Sequence, residues 1–119
     1  MRRYMLKSKI HRATLTGTEL NYEGSIAVDQ SLLEVADILP GEQVHVLNVN
    51  TGARLVTYAI PAPPGSGTML LNGPAARLGA PGDLIIILTY CDLDDADARR
   101  HRPKVIHVDE KNRPAGAGR

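Results

Sequence analysis

Over most of this chain apolar and polar residues alternate in short runs, the pattern of strands with one buried face. Residues 4 to 16 read as a long first strand, with Leu6, Ser8 and Ile10 on one face and Lys7, Lys9 and His11 on the other. QVHVLNV and RLVTYAI are β-rich runs separated by NTGA, a hairpin signal. TMLLN and KVIHV predict further strands, and DLIIILTYC a buried one. Helical signals are brief. DQSLLEVADILPG predicts a short helix that begins with Asp29 as its N-cap and stops at Pro40 and Gly41. PAPPGSG reads as a rigid turn, GPAARLGAPG as a brief helix or loop, and DLDDADARR as one acidic helical turn.

Six or seven strands with short helices and no long internal repeat predict a small, mainly β barrel, not a parallel α/β sheet. A closed barrel also removes the edges that so many strands would otherwise expose. Residues 1–110 are expected to form this single domain, and 111–119, within DEKNRPAGAGR, a disordered tail. In ELNYEGSIAVDQ the Gly24-Ser25 bond falls where a strand is expected to end and the helix to begin. Gly and Ser are routine turn residues, so a turn is the plainest reading of that pair.

Composition narrows the function classes. At 119 residues the chain can bury a real core as one domain. Fourteen basic against thirteen acidic residues, a net charge of +1, argue against a dedicated nucleic-acid binder. Arg2, Arg3, Lys7, Lys9 and Arg12 precede the first acid, Glu19, but the apolar run and cleavage site of a secretory signal are missing. No run approaches the roughly 20 apolar residues that span a bilayer. Cys91 is the only cysteine, which excludes an intrachain disulfide and suits a reducing compartment. A cytoplasmic protein without membrane or nucleic-acid partners is expected.

Several motifs fail on inspection. DLDDAD lacks the ligands, turn glycine and final Glu of a calcium loop. GSGTML follows a proline turn and opens a strand, unlike a dinucleotide fingerprint. The histidines at 11, 45, 101 and 107 share no metal-ligand spacing with Cys91, so no metal is expected. Ser25 is not in a G-x-S-x-G elbow. What is left is a set of polar groups in strands and turns: Lys9, His11, Arg54, Thr57, Tyr58, Asn72 and Gly73. Taken singly, each has an ordinary role as a solvated face residue, a wet phenol, half of an ion pair or a turn.

Taken together they carry a resemblance. MLKSKIHRATLT, LNYEGSIAVDQSLLEVADILPGEQVHVLNVNTGARLVTYAI and NGPAARLGAPGDLIIILTY resemble successive segments of the bacterial pyruvoyl-dependent aspartate decarboxylases, in register from about Met5 to about His107. Tyr-Glu-Gly-Ser, Arg-x-x-Thr-Tyr-Ala-Ile and Asn-Gly-x-Ala-Ala occur in the right order and spacing. The resemblance implies a double-psi β-barrel, a homotetramer with sites between subunits, and decarboxylation of L-aspartate to β-alanine for pantothenate synthesis. It also implies self-cleavage between Gly24 and Ser25, which leaves a short N-terminal and a longer C-terminal chain and converts Ser25 into a covalent pyruvoyl group that forms a Schiff base with the substrate. A maturation factor is a further partner this family admits.

The resemblance assigns roles residue by residue. Ser25 supplies the nucleophile and a β-oxygen that can leave, which Ala or Thr would not do equally well. Gly24 allows close approach to its carbonyl and tolerates strained dihedrals. Thr57 matches the residue that helps hold that carbonyl, and Tyr58 the proton donor. Arg54 and Lys9 match positions near the substrate carboxylates, Arg54 being shaped for a bidentate grip. Gly73, Pro74 and Ala75 match the substrate-binding turn, although Pro74 replaces the usual alanine and removes an N–H. Asn72, Tyr22 and His11 match other residues lining the site. Strand alternation places Arg54 and Tyr58 on one face and Thr57 on the other, so a site using all three must reach around the strand or borrow from a neighbouring chain. Two alternatives stay open: a non-catalytic barrel that binds a ligand or partner, and a nucleic-acid-binding barrel using the basic N-terminus with Arg99, Arg100, Arg102 and Lys104.

Overall fold

The computed structural model describes residues 1–115. Its strands are Arg2–Thr14 (β1), Gly17–Glu19 (β2), Ser25–Asp29 (β3), Gln43–Asn48 (β4), Arg54–Ala62 (β5), Met69–Asn72 (β6), Leu84–Asp94 (β7) and Lys104–His107 (β8). Two short helices, Gln30–Ala36 (α1) and Asp95–Arg100 (α2), and a 3-10 turn over Gly73–Leu78 connect them. Among the described residues no helix is long and apolar enough to cross a membrane.

The strands lie in the order β2-β6-β3-β5-β4-β7-β1-β8. β1 and β2 stand near opposite ends of that order, yet only Leu15 and Thr16 separate them in sequence. Thr16 N–H donates to the Met69 carbonyl at 2.8 Å, and β2 then runs parallel along β6. The sheet thus closes on itself, with β8 added outside β1. β3 pairs antiparallel with β6 and parallel with β5, a mixed pairing that fits the double-psi barrel expected above.

Period-two patterning fills the barrel. Val44 and Val46, Ile85 and Ile87, Ile26 and Val28, and Met69 and Leu71 project inward with Ile10, while Leu32 and Leu33 of α1 close one end. The chain has neither Phe nor Trp, so the core is aliphatic. Each such side chain contributes about 1.5–3 kcal/mol on burial.

Three sequence expectations need correction. There are eight strands instead of six or seven, because the three-residue β2 is too short to show a period and β3 was absorbed into the turn before the helix. Ser25 therefore opens a strand, not a helix. α1 ends at Ala36, ahead of Pro40, because Asp37 adopts a left-handed conformation that Asp tolerates and its N–H bonds back to Glu34. Finally, residues 111–115 of the expected disordered tail are ordered. Asn112 is buried, its amide group accepts from Thr14 N–H at 2.7 Å and donates to the Thr14 and Gly67 carbonyls at 2.8 Å each, and Pro114 bridges Val108. Residues 116–119 lie outside the described residues.

Asp29 is the matching pin on the other side of that turn. Its buried carboxylate caps α1 through Ser31 N–H at 2.8 Å and accepts from Gly65 N–H at 3.0 Å and Gly67 N–H at 2.9 Å. Burial alone would raise its pKa, but the Gly67, Ser31 and Gly65 donors outweigh that and hold it below the usual carboxylate value. Replacing Asp29 by Ala should cost roughly 2–4 kcal/mol in denaturant unfolding, from the lost cap and the stranded donors. The charge contribution has a definite sign: it is complete above the unfolded carboxylate's range and is lost as pH falls through the lower folded value. The stability gap between the parent and Asp29→Asn should therefore hold steady from neutral pH down to about pH 4 and close only below it; a gap already closing near neutrality would contradict this account.

Candidate active site

Ser25 is fully buried at the first position of β3, all five residues of which are buried. Its neighbour across β6 is Asn72. Asn72 Nδ2 donates to Ser25 Oγ at 3.0 Å, and the hydroxyl reaches the Glu23 carbonyl at 3.4 Å. Asn72 Oδ1 is also buried and has no hydrogen-bond partner among the described residues. On the other side of β3, Ile26 pairs with Ala59, which puts Ser25 level with Tyr58 of β5.

Gly73 shapes the approach to this bond. Its φ is +67°, and a Cβ there would lie 2.8 Å from the Gly24 Cα and N and from the Tyr22 carbonyl oxygen. Gly24 differs from expectation: its φ is not positive, and an added Cβ would meet only Pro74 Cδ, at an ordinary 3.9 Å. The strained dihedral expected at Gly24 is therefore found at Gly73. Pro74 lies in the first turn of the 3-10 segment, where a missing N–H costs the helix nothing.

A cavity of about 280 Å³ opens beside the bond, lined by Gly24, Thr57, Pro74 and Ala75 together with Leu55, Val56 and Leu78. A larger cavity of about 530 Å³ lies on the outer face between Tyr4, His45 and Tyr90. The smaller one is the candidate site, because Gly24, Thr57, Pro74 and Ala75 line it, whereas the larger is lined by none of the residues that match the family's site.

The remaining residues are spread out. Arg54 and Tyr58 are exposed on the outer face of β5, and Tyr22 is exposed in the turn before Gly24. Lys9 and His11 are on β1. Lys9 pairs with Leu88, Leu88 with His45, and His45 with Val56, so three strand spacings, about 14 Å along the sheet, separate Lys9 from β5. A single chain therefore gathers Gly24, Ser25, Thr57, Asn72, Gly73, Pro74 and Ala75, but leaves the β1 residues apart. None of the five ion pairs among the described residues uses Lys9 or Arg54.

His11 is next to a break in the β1–β7 register between Ile10 and Ala13, where Arg12 has φ +62°. The bulge turns the strand toward β8, and the His11 and His107 rings meet edge to face at 5.4 Å. Burial, then the charges of Lys9, His107 and Arg12, lower the His11 pKa, which favours the neutral imidazole at pH 7. Sequence reasoning missed two contacts: His107 against His11, and His45 Nδ1 at 3.3 Å from Arg54 Nη1. His45 alternates outward within HVL, which is the one sign of this contact that the sequence carries.

A family model for aspartate decarboxylase matches residues 1–115. This chain belongs to the aspartate decarboxylase family. Among its relatives, the aspartate 1-decarboxylase of Thermoanaerobacter pseudethanolicus is 58% identical over 114 residues, covering 96% of this chain and 97% of that protein. The aspartate 1-decarboxylase of Syntrophobacter fumaroxidans is 58% identical over 118 residues, covering 99% and 95%. That of Heliobacterium modesticaldum is 57% identical over 113 residues, covering 95% and 86%. For a decarboxylase-family chain the cradle around Gly24 should be intolerant of bulk. Gly73→Ala, which adds a Cβ at positive φ against backbone, should lose at least about 1 kcal/mol of stability, whereas Gly24→Ala should leave the urea midpoint within experimental error of the parent.

Proposed function

We propose that this chain decarboxylates L-aspartate to β-alanine and CO2 with a pyruvoyl group made from Ser25, supplying β-alanine for pantothenate and coenzyme A. The observation that carries the reading is a buried serine hydroxyl held by Asn72 beside a glycine carbonyl. The site also fits the group that would replace Ser25: the Gly73 cradle leaves no room for a side chain, and Asn72 Nδ2, which donates to Ser25 Oγ, is the kind of donor that a ketone oxygen at position 25 would need.

Maturation follows from the chain's own atoms. Ser25 Oγ attacks the Gly24 carbonyl carbon; the new C–O bond replaces the C–N bond, and the hydroxyl proton passes to nitrogen. Asn72 orients the oxygen, and Thr57, which lines the same cavity as Gly24, steadies the carbonyl in this reading. Loss of the Ser25 Cα proton then breaks the Cβ–O bond and releases the upstream chain as a carboxylate. Water hydrolyses the remaining enamine to the ketone and ammonia leaves. Each atom is accounted for with one water consumed.

A pyruvoyl group at position 25 would supply an electron-accepting ketone for the substrate amine and for the charge left when CO2 departs. The phenol of Tyr58, level with position 25 and partly exposed, returns a proton to carbon. Lys9 and Arg54, both without an ion-pair partner among the described residues, supply the charge that holds a dicarboxylate. Neutral His11 adds a polar group without competing for the carboxylates. The distance between β1 and β5 within one chain supports a homotetramer with sites shared between subunits, to which a maturation factor could bind. A cytoplasmic location suits this reading.

Intact mass under denaturing conditions tests it. Two fragments split between Gly24 and Ser25 are expected, the larger lighter by one ammonia than hydrolysis would give; a chain that stays whole after warming with cell extract would leave the non-catalytic barrel as the better reading. Asn72→Ala should slow cleavage by at least about tenfold, in line with loss of one positioning hydrogen bond, and Tyr58→Phe should cleave normally but lose most of its β-alanine production.

A further inference from the structure

Arg54 and Tyr58 share the outer face of β5 but are four residues apart, about 13 Å along the strand. Ser25 is level with Tyr58, not with Arg54. A guanidinium standing straight out from position 54 would therefore be well short of the reacting atoms. Something must lean it toward them.

We infer that His45 is a positioning residue that draws the Arg54 guanidinium along β5 toward Tyr58 and Ser25, and so sets the affinity for the substrate carboxylate. The inference rests on the decarboxylase reading above. His45 pairs with Val56, two residues closer to Tyr58 than the Leu47–Arg54 pair. Its Nδ1 is 3.3 Å from Arg54 Nη1, so the arginine head reaches diagonally to the level of residue 56, half of the way to Tyr58. Arginine can only donate, so Nδ1 must accept, and His45 is the neutral tautomer with its proton on Nε2. The Tyr90 ring packs against the imidazole edge to face at 5.1 Å and fixes its plane.

The contact carries a charge condition. A protonated His45 has no lone pair to offer and would set one cation against another. The groups that face it from the neighbouring strands are Arg54 and Tyr58 on β5 and Tyr90 and Asp92 on β7, with Lys9 beyond Leu88 on β1 and Tyr4 across the outer cavity. Asp92 is engaged by Arg2, so no carboxylate next to His45 offsets the repulsion. The contact therefore depends on the neutral imidazole.

His45→Ala and His45→Asn separate this role from a packing role, because Asn places an oxygen near the position of Nδ1 and does not titrate. With full processing checked by intact mass, His45→Ala should raise KM for aspartate about five- to tenfold and change kcat less than about twofold. His45→Asn should restore KM to near the parent's value, because its side-chain oxygen can accept from Arg54 in place of Nδ1. Nitrogen-15 NMR of the His45 ring gives a readout independent of turnover: the parent should show the Nε2–H tautomer, and Arg54→Leu should shift the Nδ1 resonance. An unchanged KM in His45→Ala, or an Nδ1 resonance indifferent to Arg54→Leu, overturns the inference even if the parent is an active decarboxylase. A parent that releases no CO2 from aspartate overturns the decarboxylase reading instead, and with it the role of this contact in substrate binding.

Discussion

Burying a hydroxyl without a partner costs about 1–3 kcal/mol, and Ser25 is buried completely. The hydrogen bond from Asn72 removes that cost and also fixes which way the Ser25 oxygen lone pairs point. The nucleophile proposed above would thus need the same contact for folding and for chemistry. That contact exists only because Asn72 pairs opposite Ser25, and a slip of one residue between β3 and β6 would turn Asn72 to the other face of the sheet.

The register of β6 is in turn set from below. Asp29 takes the N–H groups of Gly65 and Gly67, Asn112 takes the Gly67 carbonyl, and Thr16 both donates to and accepts from Met69. Three distant segments, from β3, the C-terminal turn and the link between β1 and β2, therefore converge on the residues that enter β6. The chain closes its barrel at the same place, through Thr16 and Met69. Closure, turn and Ser25 form one mechanical sequence, in which a fault near Gly67 reaches Ser25 through β6 and Asn72.

How much of this was legible follows from where each signal lies. The long strands were legible, β1 through alternation, β5 as a β-rich run after a hairpin signal and β7 as an apolar run, and Asp29 was recognisable as a cap because an acid preceded an apolar helix run. β3 was hidden because burial of all five residues erases alternation, leaving SIAVD to read as part of a turn. Asn112 was invisible for another reason: its worth lies in bonds to Thr14 and Gly67, 98 and 45 residues away, and a polar tail gives no local sign of them. At the site, residue types came from resemblance, while the position of the steric constraint did not. Sequence gives no means of deciding which of two adjacent-in-space glycines, 24 or 73, has the positive φ.

What sets Arg54 apart from ordinary solvated surface is the partner that it meets. Arg2, Arg3, Lys7, Arg99 and Arg100 are matched with acids, as expected for a chain with nearly balanced charge. Lys9 and Arg54 face outward on the same barrel wall, and what Arg54 meets is a neutral imidazole instead of a carboxylate. An Asp or Glu at position 45 would have gripped Arg54 more strongly, but it would also have satisfied the charge that a substrate carboxylate must find. A neutral acceptor can aim a guanidinium and leave its charge available. For the dicarboxylate site proposed above, a histidine at 45 that accepts through Nδ1 would supply orientation without neutralisation.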